Sequence, residues 1–215
     1  MNQDRADERA MMVQTQIRSR GIKDTRVLRA LETVPRHFFL PDEYSAIAYR
    51  DHPVPIGHEQ TISQPYIVAL MTELLAPDPG DIVLEIGTGR GYQAAVLAAM
   101  GTRVISLERI PALADTARSC LQKAGVENVS VFVADGTLGW VEMAPYNGII
   151  ITAGTPAVPS ALIEQLAPGG RLVAPVGTAD LQELVRLTKT SDGIRKEQFG
   201  GVRFVPLIGR NGWRL

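Results

Sequence analysis

Apolar residues at the start of the chain recur at helical spacing: Ala6, Ala10, Val13 and Ile17 share one face, and Gly21 supplies a stop. Asp24 is placed to cap a second short helix carrying Val27, Leu28 and Leu31, which Pro35 ends. From 37 to 63 no period is sustained. Prolines at 41, 53 and 55 and aromatic residues at 38, 39, 44 and 49 predict a long ordered loop over the core, and such loops commonly carry function. Helical spacing returns in Ile67, Leu70, Met71, Leu74 and Leu75, with Pro65 tolerated in the first turn and Ser63 positioned as the cap.

Beyond residue 80, short β-branched runs alternate with helical stretches. Strands are expected at 82–86, 103–107, 129–133, 148–152 and 171–176, and helices at 92–100, 111–124 and 159–167. That alternation predicts an α/β fold, a doubly wound and mostly parallel sheet with helices on both faces. The tail reads differently: runs at 184–190 and 194–199 flank Ser191-Asp192-Gly193, a hairpin signal, and a further run covers 202–208. The sheet should therefore finish in antiparallel strands. A chain of 215 residues suits one domain. Its parts are N-terminal helices and loop (1–62), an α/β core (63–177) and C-terminal antiparallel strands (178–215).

Charge narrows the partners. Lys plus Arg total 22 against 23 for Asp plus Glu, so no basic field exists for a phosphate backbone, and nucleic acid is not an expected partner. No apolar stretch reaches the roughly 18 to 20 residues of a membrane helix, and residues 1–9 lack a secretion-signal pattern. The single cysteine, Cys120, cannot form an internal disulfide, and its helix-like surroundings predict a buried inert thiol. A cytoplasmic protein without a membrane partner is expected. His37, His52 and His58 show no ligand spacing, so no metal site is expected.

The strongest local signal is Val83-Leu84-Glu85-Ile86-Gly87-Thr88-Gly89-Arg90-Gly91-Tyr92, a buried strand entering three alternating glycines and then a helix. Glycine lets backbone turn sharply and approach a ligand closely. Tyr92 stands where the dinucleotide fingerprint wants glycine, and Glu85 precedes the turn as in its S-adenosyl-L-methionine (AdoMet) version; the spacing favours AdoMet over NAD. Glu108 ends the second strand, where its carboxylate can accept both ribose hydroxyls, and Asp135-Gly136 ends the third, beside the adenine.

These residues, with others along nearly the whole chain, resemble the protein-L-isoaspartate O-methyltransferase family. The likeness includes Val34-Pro35-Arg36-His37-Phe38, Gln60-Thr61-Ile62-Ser63-Gln64-Pro65, Ala144-Pro145-Tyr146 and Val202-Arg203-Phe204-Val205-Pro206-Leu207. The resemblance implies a Rossmann-like class I AdoMet methyltransferase that methylates the free carboxylate of L-isoaspartyl residues in damaged proteins; a monomer is expected. It implies cofactor contacts from Gln60, Thr61, Ile62, Ser63, Glu85, Gly87, Thr88, Gly89, Gly91, Glu108, Arg109, Asp135 and Gly136. Ser63 matches the active-site serine, and Val202, Phe204, Val205 and Pro206 match the strand that meets the substrate peptide. The chain departs from the family pattern at Glu59, Arg90, Ala134 and Asn147; Glu59 and Arg90 could pair with each other or tune the cofactor site. The rival readings are a small-molecule methyltransferase, a nicotinamide oxidoreductase and a non-catalytic AdoMet-fold binding protein.

Overall fold

The first helical run forms α1 (Ala6–Met12), which continues through a π-helical turn (Val13–Ile17) and a 3₁₀ turn (Arg18–Arg20) to Gly21, left-handed at φ 101°. The structure, a computed structural model, describes residues 4–214; the first three residues of the polar N-terminal stretch lie outside it. The Asp24 carboxylate accepts the Arg26 N–H and caps α2 (Thr25–Thr33), whose Val27, Leu28, Ala30 and Leu31 are buried.

The stretch expected to be a loop is more ordered than that. It holds 3₁₀ turns at Arg36–Phe39 and Asp42–Ile47 and then an antiparallel hairpin of β1 (Val54–Gly57) and β2 (Gln60–Ile62). Prolines hid the hairpin from sequence, yet a two-stranded ribbon leaves edges where a proline is tolerated. The hairpin's tip, His58-Glu59, is left-handed at both residues (φ 52° and 59°), the twist a two-residue hairpin turn needs, but without the usual Asn-Gly. Arg36 anchors the stretch. Its side chain is fully buried, its Nε donates to the Ala48 carbonyl at 2.9 Å, and its guanidinium lies 5.0 Å from the Tyr92 ring centroid. Burial pulls its pKa down to about 10, which still leaves it charged at neutral pH.

Helix α3 (Pro65–Leu75) corrects two expectations. Its N-cap is Gln64 with no side-chain cap bond, so Ser63 sits one residue outside the helix and does not cap it. Its buried face also includes Val68, Ala69 and Thr72, because α3 packs on β-strands on one side and on α2 on the other.

From there the chain alternates through β3 (Ile82–Ile86), α4 (Tyr92–Ala99), β4 (Arg103–Glu108), α5 (Pro111–Lys123), β5 (Val129–Val133), β6 (Tyr146–Ile151), α6 (Ser160–Glu164) and β7 (Leu166–Gly177). The hairpin β8 (Gln182–Thr190) and β9 (Gly193–Val202) completes one sheet of order β5-β4-β3-β6-β7-β8-β9, parallel from β5 to β7 and antiparallel beyond. Leu84 and Ile86 face one layer of the core while Val83 faces the other, the period-2 burial of a covered sheet. Cys120 is buried in α5. Asn147 has a structural task, its Oδ1 accepting the Ile82 N–H at 3.0 Å.

Two further expectations change. The helix read over 159–167 is a short one because β7 already begins at Leu166. The run at 202–208 is no ladder strand: Val202 ends β9, and the chain then crosses the sheet's end, held to Gly154 by the bonds Gly154 N to Val205 O and Leu207 N to Gly154 O. Among the described residues, no helix is long and apolar enough to cross a membrane.

The chain leaves β3 for β4 and β5 on one side and returns on the other at β6, so the carboxyl end of β3 is the switch point where open α/β sheets bind ligands. Replacing the α2 cap, Asp24→Ala, should lower unfolding free energy by about 1 kcal/mol in urea denaturation and leave ligand binding unchanged.

Candidate active site

At the switch point, Gly87, Gly89 and Gly91 are all left-handed (φ 97°, 55° and 93°). Space is also short: a Cβ on Gly87 would stand 2.5 Å from Thr152 Oγ1, and one on Gly91 would stand 3.2 Å from Leu121. Thr152, just past β6, fixes the turn by donating its hydroxyl to the carbonyls of Gly87 (2.6 Å) and Ile86 (3.0 Å). Glu108 braces the other side. It is only 7% exposed, and its carboxylate accepts the N–H groups of Gly89 and Ile110, each at 2.9 Å.

Beneath the turn runs a buried polar chain. The Ser106 hydroxyl donates to Glu85, its partner in the β3–β4 register, and lies 2.6 Å from Thr88 Oγ1. Burial pushes the Glu85 carboxyl up to about 8; the Ser106 bond opposes that and the Glu108 charge adds to it. Glu85 is thus largely protonated at neutral pH.

A cleft enclosing about 880 Å³ of empty space, its mouth included, opens over this turn. Its walls contain Gln60, Thr61, Ile62, Ser63, Gly87, Thr88, Gly89, Glu108, Arg109, Gly136, Val205 and Pro206, all of which the sequence had marked. The hairpin leans over it, with Ile56 Cδ1 3.2 Å from where a Gly89 Cβ would be. Glu85, Gly91, Asp135, Val202 and Phe204 do not line it. Gly91 is the N-cap of α4, Val202 ends β9, and the Phe204 N–H is held by Gln182 Oε1 at 2.8 Å. Asp135 binds protein on both oxygens: Oδ1 accepts from Thr137 N and Oγ1, and Oδ2 accepts from Arg210 N at 2.7 Å. Burial alone would raise its pKa; these bonds and the nearby Arg109 charge hold it below the usual carboxylate range.

Sequence reading missed Thr152, Ala153, Ile110, Leu207 and Ile208, which also line the cleft. Thr152 was findable, because the residue after the strand that neighbours the glycine strand must lie at the same sheet edge. Arg90 and Glu59 do not pair. Arg90 turns to the N-terminal segment, donating to the carbonyls of Phe39 (2.8 Å) and Leu40 (3.2 Å), while Glu59 is exposed on the hairpin tip.

Residues 7–212 match the family described as Protein-L-isoaspartate(D-aspartate) O-methyltransferase. The chain belongs to that family. It is 61% identical over 210 residues to the protein-L-isoaspartate O-methyltransferase of Methanospirillum hungatei, covering 98% of this chain and 97% of that one. A counterpart from Methanoregula boonei is 56% identical over 209 residues, covering 97% and 96%. Among solved structures, one titled protein-L-isoaspartate O-methyltransferase superposes with a TM-score of 0.85 at 29% identity, over 96% of this chain and 67% of that one. Another, from Plasmodium falciparum and bound to S-adenosyl-L-homocysteine, gives 0.81 at 26% identity, over 93% and 98%. The sheet with antiparallel last strands is thus the class I AdoMet methyltransferase fold as this family builds it.

Gly87→Ala should weaken S-adenosyl-L-homocysteine binding at least ~10-fold by calorimetry, since a left-handed alanine costs about 1–2 kcal/mol before it meets Thr152. Glu85 sets a pH signature. Its folded pKa of about 8 exceeds the unfolded value near 4.5, so between those values the folded chain holds a proton the unfolded chain has lost, and stability falls as pH rises. Glu85→Gln removes this, and the gap in unfolding midpoint between variant and wild type should widen in the variant's favour from about pH 5 to about pH 8.

Proposed function

We propose that this protein transfers the methyl group of AdoMet to the free α-carboxylate of L-isoaspartyl residues in damaged proteins, initiating their repair through a succinimide. The observation that carries this reading is the meeting, in one cleft, of the glycine turn and Glu108 with Ser63 and the 205–208 wall. Membership of the family supports the substrate class, and the product bound to the Plasmodium falciparum relative supports the donor.

The residues present fit AdoMet. Each Glu108 oxygen accepts one backbone N–H and keeps acceptor capacity for a ribose hydroxyl, and Gln60 to Ser63 supply polar groups opposite the glycine turn. When bound, AdoMet supplies an electrophilic methyl on a sulfonium that is its own leaving group. The chain's own work is alignment. An isoaspartyl carboxylate, with a pKa near 4, is already ionised at neutral pH, so no general base is needed. Ser63, freed from capping α3, can offer its hydroxyl to the reacting carboxylate and hold it in line, and such positioning can supply roughly 7 to 11 kcal/mol.

The 205–208 wall suits a peptide of any sequence. In an extended segment, alternate residues point their backbone groups to opposite sides; Val205 and Leu207 bond Gly154, so Pro206 directs its carbonyl away from Gly154. Strand addition of this kind recognises main chain. A net charge of −1 likewise suits substrates of either sign, and the lone buried Cys120 suits the cytoplasm.

The test uses methyl-labelled AdoMet with paired peptides, one isoaspartyl and one aspartyl. Base-labile label on the isoaspartyl peptide alone is expected; label on neither or on both overturns the reading. Ser63→Ala should lower kcat ten- to a hundredfold, about 1.5–3 kcal/mol, as measured by steady-state kinetics with the isoaspartyl peptide. An undiminished kcat removes Ser63 from the alignment role.

A further inference from the structure

Residues 209–213 fold into a small turn whose fastenings connect the cofactor side of the cleft with its peptide side. Arg210 N donates to Asp135 Oδ2 at 2.7 Å and Asn211 N to Thr137 Oγ1 at 3.0 Å, while Asn211 Nδ2 reaches the Thr137 carbonyl at 3.3 Å. At its far end Trp213 N donates to Leu207 O at 2.8 Å and Trp213 Nε1 to Gly154 O at 3.1 Å. The fit is close: a Cβ on Gly209 would collide with the Asp135 carboxylate, and one on Gly212 with the Leu207 carbonyl.

Thr137 is the centre of this clasp. It is fully buried and lines no part of the cleft, and its hydroxyl works in both directions, accepting from Asn211 and donating to Asp135 at 2.7 Å. Leu207 and Ile208, which the clasp holds, do line the cleft. We propose that Thr137 is a positioning residue for the peptide wall, fixing 205–208 through the C-terminal turn. It touches neither substrate nor donor. The inference rests on the methyltransferase reading for its kinetic consequence and on geometry alone for the coupling.

Thr137→Val replaces the hydroxyl by a methyl of similar size. The variant should raise KM for an isoaspartyl peptide roughly ten-fold, the factor equivalent to the lost hydrogen bond from Asn211 N, with kcat within about twofold. Calorimetric affinity for S-adenosyl-L-homocysteine should fall by less than that, because Asp135 keeps its bonds from the Thr137 and Arg210 N–H groups, and Thr137→Ser should restore KM. Amide hydrogen exchange at Leu207, Arg210 and Asn211 should accelerate in Thr137→Val and return in Thr137→Ser. Trp213→Phe, which removes one bond at the turn's other end and leaves the buried core alone, should raise the same KM. An unchanged exchange rate at Leu207 overturns the coupling whether or not the enzyme methylates isoaspartate. Faster exchange with an unchanged KM, equal loss of peptide and donor binding, or failure of serine to rescue overturns the positioning role. A wild type that labels no isoaspartyl peptide defeats the functional reading instead, and the exchange data still decide the clasp.

Discussion

Everything at the site depends on a stretch of backbone with no room for side chains. Between β3 and α4 the chain must reverse at the crowded end of a parallel sheet, with Thr152 pressing from β6 and Leu121 from α5. Three left-handed glycines solve both problems, the torsion and the space. The turn is then held from either side by the Thr152 hydroxyl and the Glu108 carboxylate, and its own N–H groups are spent on the protein, those of Gly87 and Thr88 on the Leu107 carbonyl and that of Gly89 on Glu108. A turn fixed in this way needs no reorganisation when a ligand arrives.

Around that turn, buried and half-buried polar groups join neighbouring layers to it. Arg36 lies under the N-terminal segment against Tyr92, Arg90 reaches from the turn to the Phe39 and Leu40 carbonyls, and Glu85 joins Ser106 and Thr88 below. Burial of such groups is costly unless they are paired. Their return is register: the helical N-terminal segment and the α/β core are held at one mutual position, and the hairpin can lean over the glycine turn.

Much of this was legible in the residue pattern. β3 and β5 fall where β-branched runs place them, the Asp24 cap and the Gly21 stop are as read, and the glycine turn, Glu108 and Gly136 meet in one cleft. What escaped has physical causes. The β1–β2 hairpin contains Pro55 and a His58-Glu59 tip, so neither strand propensity nor turn chemistry announced it. Ser63 lost its capping role by one residue, a shift too fine for periodicity to resolve. The 202–208 run looks like a strand because its apolar residues pack, but beyond Val202 its backbone bonds go to the isolated residues Gly154 and Trp213, contacts no local signal reports.

Two walls of the cleft come from segments far apart in the chain, one from residues 60–63 and the other from residues 205–208. Contacts at such sequence separation are the last to form, since loop closure must precede them. A chain still emerging from synthesis can therefore build the glycine turn and its carboxylates before it has any second wall. The complete cleft waits on residues 205–208, and a chain cut before residue 205 would lack a wall of the site while keeping the strands of the sheet.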